Sequence, residues 1–302
     1  MNPLIVLNGP TASGKTRLAV DLAHKLGRRA EIVNGDAMLI YRGMDIGSAK
    51  PSLAERGGVP HHLIDVLDIT ETASVADFQS MARLKIAEIR SRDGIPILVG
   101  GSNLYVRAVV DEFDFPGTDP IIRQRWDSQL ERIGSRALHE ILASKAPAAA
   151  KEIEPGNGRR IVRALEIFEL TGRVSGKLPE LRYALEDVHQ FGLRLSRQAL
   201  DQRIAERVDN MWSAGLVAEV THLAELGLRD GLTASRGLGY RQVLAYLDGE
   251  ITEAQAKQQT IDATRRFSRK QLGWFRRDPR ISWLHAGDPE NPTKIIRSLG
   301  LS

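Results

Sequence analysis

Short apolar runs alternate with helically spaced apolar residues in the N-terminal third of the chain. The runs LIVLNGP, EIVNGDAMLIY and IPILVGG predict three buried strands, the second ending in a turn. Between the first two, TRLAVDLAHKLG carries Leu18, Leu22 and Leu26 at helical spacing and stops at Gly27. Because strands and helices alternate, this part of the chain predicts an α/β unit with a mainly parallel sheet flanked by helices.

Two further helices are predicted around the third strand. SVADFQSMARLKIAEIR begins with a capping-box pattern, in which Ser74 is followed three residues later by Asp77. One face of this helix carries apolar residues, namely Phe78, Met81, Ala82, Ile86 and Ile89. The stretch NLYVRAVV, which follows the third strand, is also predicted to be helical.

The pattern changes near Phe115-Pro116-Gly117, after which helical spacing continues to about Tyr183. VHQFGLRLS then predicts a returning strand, followed by helices to the last residue. We therefore predict a core of residues 1–115 and 189–302 with an all-helical insertion domain at 116–188. The C-terminal helices belong to this core.

Composition narrows the class of protein. Of the 302 residues, 42% are hydrophobic, enough for a sizeable core, and 26% are charged. The absence of cysteine excludes disulfides and thiolate zinc sites. The apolar run from Leu4 to Leu7 is too short for a signal peptide or a membrane span. We expect a monomeric cytoplasmic protein that does not contact a membrane.

Positive charge is concentrated near the C-terminus. The segment from Lys257 to Arg280 contains eight basic and two acidic residues, a local net charge of +6, and three aromatic residues lie among them. One interpretation is a solvated helix face, and the other is a surface that follows a nucleic-acid backbone. The basic residues are Lys257, Arg265, Arg266, Arg269, Lys270, Arg276, Arg277 and Arg280.

A phosphate-binding loop joins the first predicted strand to the first helix. The residues fit G-x-x-x-x-G-K-[ST], and the strand and helix provide the structural context that this motif requires. Backbone amides and the helix N-terminus would cradle phosphate oxygens, Lys15 would neutralise them, and Thr16 could bind Mg²⁺. The predicted fold is thus a P-loop α/β core. The loop comprises Gly9, Pro10, Thr11, Ala12, Ser13, Gly14, Lys15 and Thr16.

The residues at the ends of the second and third strands do not decide which reaction the protein catalyses. Asp36 follows the second strand, where ligands bind in open α/β sheets, but it could equally be a turn residue after Gly35. The third strand ends in Gly100-Gly101-Ser102, without the acidic residue that phosphate-loop hydrolases usually place there. An ATP-dependent small-metabolite or nucleoside kinase explains the loop but not the basic segment. A non-catalytic RNA-binding protein with a nucleotide switch explains both but gives Asp36 no task.

Several longer motifs point to one family. They are GDAMLIYRGMDIGSAKP, HHLIDVLD, VADF, LVGGSNLY, RRIVRALEIFELTGR, GLGYRQ and ATRRFSRKQLGWFRR, and with GPTASGKT they run in order across the chain. In these motifs the chain resembles bacterial tRNA dimethylallyltransferases, the tRNA isopentenyl-transferase family. That resemblance implies transfer of a dimethylallyl group from dimethylallyl diphosphate to N6 of adenosine 37 beside the anticodon. Diphosphate is released, and Mg²⁺ assists.

The resemblance also implies roles for individual residues. The loop from Gly9 to Thr16 would hold the diphosphate of the prenyl donor, with Thr16 as the metal ligand. Asp36 would be the general base, and Ser102 and Arg207 would bind the diphosphate. The family usually has Thr in place of Ser102, which keeps the hydroxyl.

The tRNA anticodon stem-loop would contact residues from several segments. Arg159 stands where the family commonly has Gln, so a base contact could become a phosphate contact there. Phe267, Trp274 and the Tyr240-Arg241 pair are candidates for stacking on an extruded base. The implied contacts are Asp36, Ala37, Met38, Leu39, Ser102, Arg123, Arg159, Arg160, Ile161, Val162, Arg163, Arg236, Gly237, Leu238, Gly239, Tyr240, Arg241, Arg265, Arg266, Phe267, Ser268, Arg269, Lys270, Gln271 and Leu272.

Overall fold

A computed structural model describes residues 2–27 and 29–301. The chain forms two compact units, one of residues 1–111 and 183–302 and the other of residues 112–182. The strands are β1 (Leu4–Asn8), β2 (Ala30–Asn34), β3 (His61–His62), β4 (Ile95–Gly100), β5 (Val188–Arg194) and β6 (Ile281–His285). The helices are α1 (Lys15–Leu26), α2 (Val75–Ser91), α3 (Asn103–Val110), α4 (Pro120–Lys145), α5 (Pro147–Ala150), α6 (Gly158–Thr171), α7 (Arg197–Ser213), α8 (Leu216–Glu225), α9 (Tyr240–Leu247), α10 (Glu253–Phe275) and α11 (Asn291–Ser298).

The first unit is built on one six-stranded sheet in the order β3-β2-β4-β1-β5-β6. Every neighbouring pair of strands is parallel. Because successive side chains of a strand point to opposite faces, Val6 packs into one apolar core and Ile5 and Leu7 into another. The first core also contains residues of α2, α3, α8 and α9, and the second contains residues of α1 and α11. The predicted α/β fold with a parallel sheet flanked by helices is confirmed.

Local signals place several elements as the sequence predicts. Helix α1 begins directly after Gly14 and ends before Gly27, and α3 coincides with NLYVRAVV. Ser74 caps α2, where its hydroxyl accepts a hydrogen bond from the backbone N–H of Asp77 at 3.3 Å. Four of the five predicted core residues of α2 are buried, and Met81 is half-buried.

The second strand ends in a turn as predicted, but one other prediction about strands is wrong. Strand β2 ends at Asn34, because the Asn34 side chain turns the backbone by bonding both the N–H and the C=O of Asp36, at 2.8 and 2.9 Å. The segment after β5 is not entirely helical, since β6 adds a parallel edge strand beside β5. Its sequence ISWLH contains Ile281 and Trp283, residue types enriched in strands, next to the conspicuous basic segment.

The second unit contains helices α4, α5 and α6, and no strand lies within residues 112–182 as described. Leu138, Leu142, Ile161 and Leu165 form the centre of its apolar core. Strand β5 begins at Val188, inside the range predicted for the insertion domain. Tyr183 is also part of the first unit, where it forms an isolated bridge with Asp111.

No helix in the described part of the chain combines the length and the apolar composition needed to cross a membrane.

Candidate active site

The phosphate-binding loop lies between β1 and α1. Gly14 has a φ of 91° and precedes the first helical residue, a conformation that glycine adopts without strain. No side chain caps α1, so the N–H groups of its first turn can bind an anion. Thr11 to Thr16 line a cavity of about 750 Å³, whereas Gly9 and Pro10 are buried behind them.

The opposite wall of the cavity comes from distant parts of the first unit. Asp36 and Leu39 follow β2, and Ser48 and Ala49 lie in the long segment before β3. Gly100 ends β4, and Gly101 follows it. Helix α7 contributes one face, which carries Arg203, Arg207 and Asn210. Parallel strands thus deliver their carboxyl ends to one site, as open α/β sheets do.

Two cations of the cavity have lowered pKa values. Burial lowers the pKa of Lys15 to about 8, the Asp36 carboxylate opposes this shift, and the Arg207 guanidinium adds to it. Burial also lowers the pKa of Arg207, again against the field of Asp36. Lys15 Nζ donates to the carbonyl of Pro10 at 2.8 Å, and Arg207 Nη2 donates to the carbonyl of Ser48 at 3.1 Å. Two desolvated cations near one carboxylate favour binding of an anion.

Asp36 is held by its own turn. Its Oδ1 accepts from the backbone N–H of Met38 at 2.9 Å, and Asn34 fixes its backbone. Ala37 and Met38, which were predicted to contact RNA, pack against the apolar core as half-buried residues. Asp36 thus combines the two interpretations of the sequence, because it is a turn residue and also lines the cavity.

Ser102 lies at the edge of this arrangement. It precedes α3 without capping it through its hydroxyl, and its neighbours Gly100 and Gly101 line the cavity. A Cβ added at Gly101 would lie 3.6 Å from Lys15 Nζ. The segment before Ser102 therefore passes directly beside the lysine.

The structure separates the residues near α9 that were predicted to contact RNA. Arg236 and Arg241 are exposed, Leu238 is half-buried, and Gly237 and Gly239 are buried. Tyr240 is fully buried, so the expectation that it stacks on a base is wrong.

The hydroxyl of Tyr240 has a structural partner instead. It donates to Glu219 Oε1 at 2.7 Å, and burial and the Glu219 carboxylate raise its pKa. The same carboxylate accepts the backbone N–H groups of Asp45, Ile46 and Gly47. Tyr240 and Glu219 therefore support the segment that carries Ser48 into the cavity wall.

Helix α10 has two faces. Arg266, Phe267, Arg269 and Lys270 are exposed, and Arg265 and Leu272 are half-buried. Ser268 and Gln271 are buried on the other side, so their predicted contact with RNA through side chains is wrong.

Not all cations of the basic segment face solvent freely. Arg280 forms buried ion pairs with Asp111 and Asp278, both at 2.7 Å. Lys257 pairs with Asp209 at 2.8 Å, and Arg265 Nη2 donates to the carbonyl of Asp201 at 3.3 Å. The local charge of +6 therefore overstates what this segment presents to a partner.

In the second unit, two predicted RNA-binding arginines share one buried carboxylate. Arg123 Nε and Arg163 Nη1 each donate to Glu166 Oε2 at 2.8 Å, and Glu166 is fully buried. Arg159 and Arg160 are exposed, and Arg160 donates to the carbonyl of Gly176 at 2.8 Å. The side chains of Ile161 and Val162 lie in the core of this unit, so their expected contact with tRNA would have to come from the backbone.

Sequence reasoning missed several residues of the cavity. Ser48 and Ala49 lie within the GDAMLIYRGMDIGSAKP motif, which by itself signals only the family. Arg203 and Asn210 occupy the same face of α7 as Arg207, a relation that helical spacing would have revealed. No sequence pattern indicated that Asn34 would line the cavity.

Comparison with known proteins agrees with this arrangement. The sequence profile of the family described as IPP transferase matches residues 39–278. A tRNA dimethylallyltransferase of Kineococcus radiotolerans is 57% identical over 300 residues, which cover 98% of this chain and 94% of the relative.

Two solved structures share the fold. The full-length tRNA isopentenylpyrophosphate transferase of Bacillus halodurans matches with a TM-score of 0.72 and 39% identity, over 99% of this chain and 95% of that one. A eukaryotic dimethylallyltransferase acting on tRNA matches with a TM-score of 0.80 and 25% identity, over 98% of this chain and 78% of that one. Taken with the phosphate-binding loop and the cavity beside it, these matches show that the chain belongs to the IPP transferase family.

Proposed function

We propose that this protein transfers a dimethylallyl group from dimethylallyl diphosphate to N6 of an adenosine beside the tRNA anticodon. The observation that carries the proposal is the pair of desolvated cations, Lys15 and Arg207, which share a cavity with the phosphate-binding loop and Asp36. The names of the matching relatives support the choice of donor and acceptor. Within this proposal the enzyme acts as a cytoplasmic monomer on the anticodon stem-loop.

The reaction needs help mainly at its leaving group. The N6 amine of adenine is a weak nucleophile because its lone pair is delocalised into the ring. In the transfer, the bond between the allylic carbon and the diphosphate oxygen breaks, and a bond from N6 to that carbon forms. Diphosphate leaves with the bonding electron pair, and N6 loses a proton.

Lys15, Arg207 and the loop amides are suited to stabilise the growing negative charge on the diphosphate. Such preorganised groups in a water-poor site usually supply the largest catalytic contribution. Asp36 would orient N6 and accept its proton, a role that contributes about 10²–10⁴-fold. The Ser102 hydroxyl, directly after the glycines beside Lys15, would add a hydrogen bond to the diphosphate.

A magnesium ion fits this site as a companion of the diphosphate. Among the described residues, no group of three or more acidic, histidine or cysteine side chains could hold a metal ion. Mg²⁺ is commonly bound through few protein ligands together with substrate phosphates. Thr16 is exposed at the start of α1 and would offer its hydroxyl, while the ion would supply further neutralisation of the leaving group.

Recognition of tRNA would draw on the exposed face of α10. Extrusion of the target base opposes binding by a few kcal/mol. Stacking on aromatic side chains can return about 1–3 kcal/mol per base. Phe267 and Trp274, whose exposed fractions are 44% and 46%, are available for that role. The exposed Arg159 and Arg160 of the second unit would bind phosphates of the same RNA, whereas Arg123 and Arg163 already pair with the buried Glu166.

The test is transfer by the purified protein. Labelled dimethylallyl diphosphate, Mg²⁺ and bulk tRNA, without ATP, should yield prenylated adenosine when the tRNA is digested and examined by mass spectrometry. Released diphosphate should match the prenyl group transferred. Consumption of ATP with phosphorylation of a small molecule, and no prenylated adenosine, would replace this proposal with the kinase.

A further inference from the structure

Helix α10 touches the phosphate-binding loop with the face opposite its exposed cations. Lys270 is exposed, whereas its neighbour Gln271 has an exposed fraction of only 5%. Arg266 and Arg269 are exposed, while Ser268 between them is fully buried. The helix that carries the candidate RNA surface thus also reaches the diphosphate cradle.

Gln271 uses both ends of its amide to hold that loop. Its Oε1 accepts the backbone N–H of Thr11 at 2.9 Å. Its Nε2 donates to the backbone carbonyl of Gly101 at 2.6 Å. One partner is a donor and the other an acceptor, so the amide has one orientation that satisfies both.

The two joined segments are those that surround Lys15. Thr11 belongs to the phosphate-binding loop, and Gly101 precedes Ser102. A Cβ at Gly101 would lie 2.9 Å from Gln271 Nε2 and 3.6 Å from Lys15 Nζ. The amide of Gln271 and the amine of Lys15 therefore approach the same glycine.

We propose that Gln271 is a positioning residue that holds the phosphate-binding loop and the Gly101-Ser102 segment around one diphosphate. It acts through Thr11 and Gly101 and does not contact RNA. The proposal rests on the proposed function for the identity of the prenyl donor. It replaces the role in tRNA binding that the sequence resemblance implies for this residue.

A change of Gln271 should affect diphosphate binding because two backbone groups, the N–H of Thr11 and the C=O of Gly101, depend on its amide. The partly buried N–H of Thr11 and the buried C=O of Gly101 would each lose a hydrogen-bond partner, which is more unfavourable than never forming the pair. The two segments would then relax apart, and the groups that bind diphosphate would lose their common geometry. Binding of diphosphate should weaken even without RNA.

The experiment uses the full-length protein and inorganic diphosphate as the probe, measured by calorimetry without tRNA. Gln271→Glu keeps the shape but turns the donor to Gly101 into an oxygen, and Gln271→Met keeps the volume without either hydrogen bond. We expect each variant to raise the Kd of diphosphate by about tenfold or more. The KM of the prenyl donor should rise in parallel, and the Kd of tRNA should stay within about twofold.

Lys270→Ala is the matched control, since it removes the adjacent side chain on the exposed face. It should raise the Kd of tRNA a few-fold and leave that of diphosphate within about twofold. A Gln271 variant that weakens tRNA but binds diphosphate normally would return this residue to the RNA surface. A variant that only lowers the melting temperature would show a purely structural role and overturn the proposal.

The proposed function is tested separately by the wild-type protein. A wild type that binds inorganic diphosphate but forms no prenylated adenosine would overturn the function. The diphosphate titration of the Gln271 variants would still decide what Gln271 does, because it requires no transfer.

Discussion

Two sets of cations in the first unit lie in contrasting surroundings. Lys15 and Arg207 line the cavity, and burial lowers the pKa of both. Arg266, Arg269 and Lys270 lie on the exposed face of α10. The sequence shows positively charged residues in both places. The fold surrounds them with different amounts of water, so their electrostatic interactions with a bound anion differ in strength.

The difference follows from the solvent around each charge. Two unit charges 4 Å apart interact by about 1 kcal/mol in bulk water. The same pair interacts by about 4 kcal/mol where the protein lowers the effective dielectric constant to about 20. Exposed ion pairs accordingly contribute about 0–1 kcal/mol and are screened by salt. Removal of either cavity cation should therefore slow the reaction strongly. Each α10 cation should contribute only a small part of the tRNA affinity.

A large loss of activity is expected at Asp36, whose field acts on both cavity cations. Asp36→Asn should reduce kcat by at least about 10²-fold, because N6 loses its proton acceptor. The Kd of tRNA should change no more than a few-fold. Single-turnover transfer with saturating tRNA measures the effect, and near-normal turnover would remove Asp36 from the role of base.

The two half-buried cavity cations should show losses of similar size. Lys15→Ala and Arg207→Ala should each slow transfer by about 10²–10³-fold, since leaving-group charge would go uncompensated. Rates of single-turnover transfer measure this loss. Arg266→Ala is the exposed counterpart and should leave the rate at saturating tRNA within a few-fold. Equal losses for the cavity and exposed variants would erase the distinction between the two sets.

The pKa of Lys15 predicts a pH dependence for the cavity set. Above pH 8 the free protein loses the Lys15 proton, and an anion prefers the charged form. The Kd of inorganic diphosphate should thus rise about tenfold between pH 7 and pH 9, as measured by calorimetry. Lys15→Arg should flatten this rise, because a guanidinium stays charged. Lys270→Ala should keep the wild-type profile.

The same shift affects stability in the opposite direction. The unfolded chain holds the Lys15 proton up to its ordinary pKa of 10.5, and the folded protein releases it near 8. The unfolded state therefore binds more protons between these values, and the contribution of Lys15 to the free energy of unfolding increases with pH there. Lys15 therefore favours diphosphate binding below pH 8, whereas its contribution to the free energy of unfolding increases above pH 8.

The smallest single effects are expected on α10. Each of Arg266→Ala, Arg269→Ala and Lys270→Ala should weaken tRNA binding only a few-fold. The triple variant should flatten the slope of log K against log salt by up to ~0.7–0.9 for each phosphate that the variant no longer neutralises. Binding measured over a salt series gives the slope. An unchanged slope in the triple variant would show that this face does not follow the RNA backbone.

Arg163 of the second unit gives a useful contrast, because its guanidinium already serves the buried Glu166. Arg163→Ala should lower the melting temperature, since Glu166 would lose one of its cationic partners. Arg160→Ala, at a more exposed neighbour, is the control and should leave the melting temperature nearly unchanged.

Sequence patterns predicted what depends on local structure. The phosphate-binding loop, the Ser74 cap and the parallel sheet all follow from short-range spacing and turn chemistry. Sequence patterns did not reveal which polar side chains form hydrogen bonds within the folded protein and are therefore not available to RNA. Tyr240 and Gln271 occupy motifs that suggest RNA contact, yet their side chains bond to Glu219 and Gly101, which lie 21 and 170 positions away in the sequence. Spacing along the chain does not encode such long-range pairing, so these assignments required the structure.

The hydrogen bond between Thr11 and Gln271 has a consequence for how the protein is made. It joins residues separated by 260 positions. At a synthesis rate of about 5–20 residues per second, Gln271 is added roughly 13–52 s after Thr11. A growing chain therefore contains the whole phosphate-binding motif long before α10 can close the cradle around it. Fragments released from the ribosome before α10 would compete poorly with the finished enzyme for its prenyl donor.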